Sequence, residues 1–443
     1  MNVKKVRKIL LITLSHDGEV KQQTTLKFFL NPVVKYMPLG LLSLAANLRD
    51  HDISILDASS KGLLTDEIIE EIEKIKPDIL GISAVTNRAW QMTEILKKTS
   101  SPIKVVGGPH TTLSAEAILR QGAHAVFIGD AEDNFPRWID DGCHAGIFDG
   151  PASDLNETSL PARDLVDLDD YRVIPNDDLL FNVGSLRLPM FSSKGCPYKC
   201  IYCDVMEKSF NGKSPKKVVE EFHDFMKLGA TSVHILDDCF NFKKDRVRQI
   251  CDGLIRDEIS IDWSVRGSVE VREKVLKSLH DAGCKRFHVG IEHLDDTILK
   301  WFKKNPRYKH VEEFCRLSDK YDIILLGYFI IGAPGETREY RENLPEQIKK
   351  LNIKIPYINV LSPLYGTEYY NELLKNGTYD RDYWLEYIEN PVKDFILPSP
   401  RSDGSERELT ALQEWYIELF YQQDGEKGTE KSKLKEIGSE LAS

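Results

Sequence analysis

Three cysteines within eight residues carry the sharpest chemical signal in this chain. The segment Lys194-Gly195-Cys196-Pro197-Tyr198-Lys199-Cys200-Ile201-Tyr202-Cys203-Asp204 spaces them C-x3-C-x2-C. Closely spaced thiolates hold iron–sulfur clusters. Three ligands for a four-iron cube leave one iron without a protein donor, open to bind something else. The alternative is a structural zinc site, which needs a fourth soft ligand nearby. Between Cys143 and His223 the only histidine is His144. The remaining cysteines, Cys143, Cys239, Cys251, Cys284 and Cys315, are scattered, and a small buried hydrophobe is the expected role for most of them.

A loop of this kind has to be carried by ordered elements. The chain has 443 residues, beyond the roughly 250–300 at which one core stops growing, so at least two domains are expected. Apolar residues make up 41% and charged residues 29%, enough for real cores and against global disorder. Lys and Arg total 59 against 70 Asp and Glu, a net charge of −11. Such a balance gives no global attraction to nucleic acid or anionic membranes. The longest strongly apolar stretch, Ile323 to Ala333, is shorter than the roughly 17–25 residues of a spanning helix. The start, MNVKKVRKILLITLSHDG, has basic residues before an apolar run, yet it leads into polar residues rather than a cleavage site, so a buried first strand is expected. A cytoplasmic protein without a disulfide scaffold follows.

Up to residue 147 short apolar runs alternate with amphipathic helices. Ile9–Ile12, Ile53–Leu56, Ile79–Ser83, Lys104–Val106 and Ala125–Ile128 read as five strands of a doubly wound parallel sheet, whose ligands sit beyond the strands' carboxyl ends. Pro38 to Leu48 reads as a helix. Thr65 is the expected cap of another, with Ile68, Ile69, Ile72 and Ile75 on one side and Pro77 as its stop. Residues 148–187, rich in Pro and acidic residues, read as a linker packed over both neighbours. From 188 to 370 the βα rhythm resumes. Strands are expected at Met190–Ser193, Val233–Leu236, Ile259–Val265, Arg286–Ile291, Ile323–Ile331 and Tyr357–Leu361, six units that fit an incomplete α/β barrel. Ser214 and Pro215 open a helix expected to bury Val218, Val219, Phe222, Phe225 and Met226. Residues 371–443 read as a helical, aromatic region (Tyr383, Trp384, Tyr387, Trp415, Tyr416, Phe420, Tyr421) ending in a charged tail, Glu426 to Glu436.

The cysteine motif resembles the radical S-adenosylmethionine (SAM) superfamily over about residues 188–370. That resemblance implies a partial barrel and a 4Fe–4S cluster on Cys196, Cys200 and Cys203. The open iron would chelate SAM, and an electron from the cluster would release a 5′-deoxyadenosyl radical that removes hydrogen from substrate. It further implies that Tyr202 borders adenine, Asp237 or Asp238 receives the methionyl ammonium, and Arg266 meets the SAM carboxylate with a bidentate fork. Glu292 would accept from the ribose hydroxyls, and the turn at Gly332 would run along the nucleoside. No further clustered cysteines are present for an auxiliary cluster.

The domain order is similar to that of cobalamin-binding radical SAM enzymes. Pro38-Leu39-Gly40 matches the segment opening the first helix, and Ser83, Val85 and Thr86 the loop after strand three. Gly107-Gly108-Pro109 matches the turn after strand four, and Gly129 with Glu132 the acidic turn after strand five. Small residues there would let backbone approach a flat corrin. The usual D-x-H-x-x-G cobalt ligand is missing: none of the eleven histidines has Asp two residues before it. His16 and His110 read as surface or core histidines by default. The resemblance implies a cobalamin-dependent methyltransferase acting on an unactivated carbon, or on phosphorus, through the 5′-deoxyadenosyl radical and methylcobalamin. The alternatives are a radical cyclase, rearrangement or oxidation enzyme that does not use cobalamin as methyl donor, and a non-catalytic iron–sulfur sensor. The expected partners are a small-molecule or natural-product substrate and a reductant such as flavodoxin or ferredoxin.

Overall fold

Four consecutive apolar residues, Ile9 to Ile12, are almost completely buried, as a strand covered on both faces requires. They form the centre of β1 (Lys8–Thr13) in the computed structural model, which describes residues 6–21, 35–172, 185–401 and 405–421. Around it lie β2 (Asp52–Leu56), β3 (Ile79–Ser83), β4 (Ile103–Gly107), β5 (Ala125–Ile128) and β6 (Gly146–Asp149). They make one parallel sheet in the order β2-β1-β3-β4-β5-β6. The sheet has six strands rather than the expected five. Gly146–Asp149 is too short to show a period, and it crosses the expected boundary at 147 to pair with β5. The strand order turns around β1 and β3, so the carboxyl ends of β1, β3, β4 and β5 open on one crevice, the place where such sheets bind ligands.

Two helix readings change in detail. Leu64, not Thr65, caps the helix Thr65–Ile75, and its N–H is held by the Glu67 carboxylate at 2.7 Å. Thr65 is already helical and donates its hydroxyl to Asp17. In the helix Pro215–Lys227 the Ser214 hydroxyl accepts from Lys217 N–H and Pro215 sits in the first turn. Its inner face carries Val218, Val219, Phe222 and Phe225, but Met226 faces solvent and Glu221 takes the fifth inner position.

The described part of the linker does pack over both neighbours. Ala162 N–H donates to Leu42 O in the first domain. Arg163, 2% exposed, inserts its guanidinium between Glu221, at 2.5 Å, and the Phe225 ring. Lys213 reaches the other Glu221 oxygen, also at 2.5 Å. Both cations pair with the buried carboxylate, and Arg163 also reaches Asp224 at 3.4 Å, so each buried charge has a counter-charge, which is the condition for keeping ions inside.

The second half of the chain opens with β7 (Arg187–Met190) and a two-stranded ribbon, β8 (Ser193–Lys194) with β9 (Asn211–Gly212). It continues with β10 (Ser232–Ile235), β11 (Asp262–Gly267), β12 (Cys284–Glu292), β13 (Ile324–Ile331) and β14 (Ile355–Val360). β7 and β10 to β14 form one parallel sheet in that order. β7 and β14 are its two edges, so the sheet is an open six-stranded barrel wall with helices on its outer face. The C-terminal region is less separate than expected. Helix Ser405–Tyr421 buries Leu409, Leu412, Trp415 and Tyr416 in the barrel core. Helix Tyr383–Glu389 returns to the first domain, where Tyr387 OH accepts from Trp90 N–H and Ile388 O from Gln121. The side chains of Phe420 and Tyr421 and the tail Glu426–Glu436 lie outside the described residues, as do linker residues 173–184.

Candidate active site

The cysteine loop leaves β8 at Gly195, whose φ of +81° is open to glycine. A Cβ there would also strike the Ser209 carbonyl. The loop then folds back on itself: Cys196 N–H donates to Glu207 O, and Cys203 N–H to Cys200 O at 3.2 Å, so the second and third cysteines share one tight turn. Ile201, buried between them, locks the turn to the barrel through Phe302 O and Tyr369 N. Cys196, Cys200 and Cys203 are half-buried, whereas the five other cysteines are buried. Among the described residues no three His, Cys, Asp or Glu side chains converge as on a single ion. A cubane asks for a different arrangement, since each thiolate takes its own iron, and three accessible sulfurs on one closed turn fit it.

The structure divides the two aspartates. Asp237 is completely buried and accepts four hydrogen bonds, from the backbone N–H and the hydroxyl of both Ser192 and Ser193, at 2.5–2.9 Å. It pins the start of the cysteine loop to the end of β10. Asp238 is exposed and spends one oxygen on Gly195 N–H. Among the described residues the Arg266 Nε, at the end of β11, has no hydrogen-bond partner, so its guanidinium can still receive a carboxylate.

Glu292 sits at φ +69°, a strained setting for a non-glycine residue, at the irregularity between β12 and β13. Its side chain folds back over Gly290 and meets Lys304 Nζ at 3.1 Å. Burial works against the ammonium charge of Lys304, yet the Glu292 carboxylate and the Cys200 sulfur raise its pKa above the ordinary value. Tyr202 packs edge-on against Phe302, and its hydroxyl is within hydrogen-bond reach of Glu292. The turn at Gly332 (φ +82°) is held from outside: Arg401 donates to its carbonyl and the buried Glu336 accepts from its N–H.

Two participants escape a reading of the sequence. Cys239, expected to be a buried hydrophobe, is buried with its thiol donating to Asn241 Oδ1 at 3.5 Å, and its sulfur beside Cys196 draws the Cys196 thiol below its ordinary pKa. Lys304 carries no motif. It stands in Lys303-Lys304-Asn305-Pro306, a run too ordinary to single out.

In the first domain the carboxyl ends of β1, β3, β4 and β5 enclose a cavity of about 150 Å³. Gly40, Ser83, Gly107, Gly108, Gly129 and Glu132 line it, together with the apolar Leu41 and Phe135. Among the described residues Cβ atoms on Gly40 or Gly107 would meet nothing within 4 Å, so these glycines keep open space that side chains would fill. Gly108 (φ +94°) brings its backbone against Ala84. Pro38, Leu39, Val85, Thr86 and Pro109 flank the cavity in sequence without lining it. Thr86 instead holds His110 Nδ1 at 3.2 Å, and burial pushes that imidazole down to about 4. The glycine-lined, largely apolar wall fits a flat macrocycle's nucleotide arm.

The same cavity is bounded by Lys194 of the barrel. Lys194, two residues before Cys196, binds Asp130 at 2.6 Å and Glu132 at 3.4 Å, so the first domain's acidic turn is tied to the strand that launches the cysteine loop.

Comparison with known proteins agrees with this geometry. Residues 190–348 match the radical SAM superfamily and residues 29–139 the B12 binding domain. An uncharacterized methyltransferase of Pyrococcus horikoshii is 28% identical over 414 residues, 86% of each chain. An anaerobic magnesium-protoporphyrin IX monomethyl ester cyclase of Rubrivivax gelatinosus is 25% identical over 80% of this chain and 68% of its own. The cobalamin-dependent SAM radical enzyme OxsB shares the fold at a TM-score of 0.68 and 16% identity, over 99% of this chain and 71% of its own. Among the described residues no helix is long and apolar enough to cross a membrane. With a cysteine loop that fits a cluster and a glycine-lined cavity facing it, the chain belongs to the radical SAM enzymes that carry a cobalamin-binding domain.

Proposed function

We propose that this enzyme is a cobalamin-dependent methyltransferase that alkylates an unactivated carbon, or phosphorus, of a natural-product-like small molecule. The observation that carries this reading is Lys194: one residue both walls the first domain's cavity and starts the cysteine loop. Two cofactor sites that share a wall can serve one substrate without its release between them. When bound, the cluster supplies the electron that cleaves SAM, and cobalamin carries the methyl group. Cys196, Cys200 and Cys203 would hold the cluster, and Arg266 and Asp238 would orient the two charged ends of SAM. Glu292, fixed by Lys304, would position the ribose, with Tyr202 beside it. Asp237 holds the loop still, and the Gly40–Gly107–Gly129 wall leaves room for the corrin's arm.

A reductant such as flavodoxin or ferredoxin and a cytoplasmic setting accompany this reading. The cyclase relative supports a second one, radical chemistry without methyl transfer. The two separate on the products of SAM. With cluster, cobalamin, reductant and SAM, methyl transfer yields S-adenosylhomocysteine alongside 5′-deoxyadenosine. Formation of 5′-deoxyadenosine with no S-adenosylhomocysteine would favour the second reading.

A further inference from the structure

Barrels of this type fill their interiors with branched aliphatic side chains. Here the outward positions Val233, Ile235, Val265, Phe287 and Val289 belong to the apolar core under the helices. The alternate positions, which face inward, are polar. His234 on β10 brings Nδ1 to 2.5 Å from Ser264 Oγ on β11. Its ring lies 4.5 Å, centroid to centroid, from that of His288 on β12. His288 in turn faces the Tyr328 hydroxyl on β13 at 3.4 Å.

Two atoms in this layer lack partners. His234 Nε2 and Ser232 Oγ, each on a residue only 3% exposed, make no hydrogen bond among the described residues. A buried unsatisfied polar group costs roughly 1–3 kcal/mol, so two on the same face of one strand call for a ligand that satisfies them. Burial, reinforced by Arg266, Arg187 and Arg286, holds both imidazoles well below their ordinary pKa and hence neutral. In the tautomer where the Ser264 hydroxyl donates to Nδ1, which an anion at Nε2 selects, the Nε2 of His234 carries the proton and is a donor. Ser232 adds a second hydroxyl donor, inside a field made positive by arginines. The layer lies three to four residues, roughly 10–13 Å at 3.3 Å per residue, below Asp237 and Asp238. Its upper edge, His288, is the register partner of Arg266, so the layer lies directly beneath the strand ends assigned to SAM.

We propose that the barrel interior at Ser232, His234 and His288 binds an oxyanion of the substrate, a carboxylate or a phosphonate or phosphate. The proposal rests on the radical SAM reading for the identity of its occupant as substrate. The test is equilibrium dialysis of phenylacetate, phenylphosphonate and the neutral phenylacetamide against the full-length, cluster-loaded protein. At least one anion should bind saturably and about tenfold tighter than the amide, a difference of 1.4 kcal/mol. Binding of phenylacetate alone assigns a carboxylate, and of phenylphosphonate alone a phosphorus oxyanion. His234→Leu should weaken the anion about tenfold, whereas His234→Gln, whose amide N–H can replace the imidazole donor, should largely keep it. Unchanged cluster absorbance and circular dichroism establish that each variant is folded. Equal affinity for acid and amide, no binding by any probe, or no effect of His234→Leu would overturn the proposal. If the wild-type protein bound the anion yet never produced 5′-deoxyadenosine, the radical reading would fail and the oxyanion site would stand.

Discussion

Lys194 and Asp130, 64 residues apart, meet at 2.6 Å across the boundary between the two sheets. Partial burial works against the ammonium charge, and Glu132 and Asp130 nevertheless raise its pKa above the ordinary lysine value. The pair joins the cavity of one domain to the cysteine loop of the other.

Lys194→Met should therefore leave Asp130 and Glu132 without their cation, at a cost of roughly 1.5–3 kcal/mol, the range for hydrogen bonds to charged groups. The expected result is a lower melting temperature and weaker retention of cobalamin on gel filtration, with iron content unchanged. A double-mutant cycle with Asp130→Asn checks that the two residues act as a pair.

Asp237 and Asp238 should behave differently although they are neighbours. Asp237→Ala removes the acceptor of four hydrogen bonds from Ser192 and Ser193, so the loop loses its anchor. Iron per chain after anaerobic reconstitution should fall sharply. Asp238→Asn should load iron normally and change only the response of the cluster's electron paramagnetic resonance signal to added SAM.

Glu221 gives a pH dependence. Burial alone would raise its pKa, but Lys213 and Arg163 outweigh that and hold it below the ordinary glutamate value of 4.5. A carboxylate with a depressed folded-state pKa contributes stability above its unfolded pKa and loses it as pH falls through the folded value. The wild-type protein should lose this contribution below about pH 4.5. Glu221→Gln should be destabilised by roughly 3–5 kcal/mol at neutral pH, since two buried cations lose their counter-charge. Denaturant unfolding at pH 7 and at pH 4 should show the difference between the two proteins shrinking at the lower pH.

Cys200→Ala should abolish 5′-deoxyadenosine formation while the first domain stays folded, because its two core clusters are built from residues outside the barrel. Cys239→Ala should keep its iron but shift the cluster's reduction potential, because a polar group packed beside a ligand sulfur is lost. A redox titration followed by absorbance distinguishes the two variants.

Much of this site was legible because its signals are local. The three cysteines, the glycine turns after β4 and β5, and the apolar runs of the central strands are all contained in windows of fewer than a dozen residues. What escaped depends on long-range geometry. Lys194, Lys304 and Glu221 are ordinary charged residues in sequence, and only packing brings each to its partner. Gly146–Asp149 is a strand because β5 offers an edge, not because four residues carry a period. Met226 sits one step around the helix from Phe225 and Phe222, enough to turn it outward.

Metal analysis of protein purified without oxygen, combined with the cluster's spectrum before and after SAM, tests the central claim most directly. Two cofactors facing each other across Lys194 require about four irons per chain, cobalt in an amount close to that of protein, and a spectrum that changes when SAM is added. Zinc in place of iron, or an iron–sulfur spectrum indifferent to SAM, would contradict it.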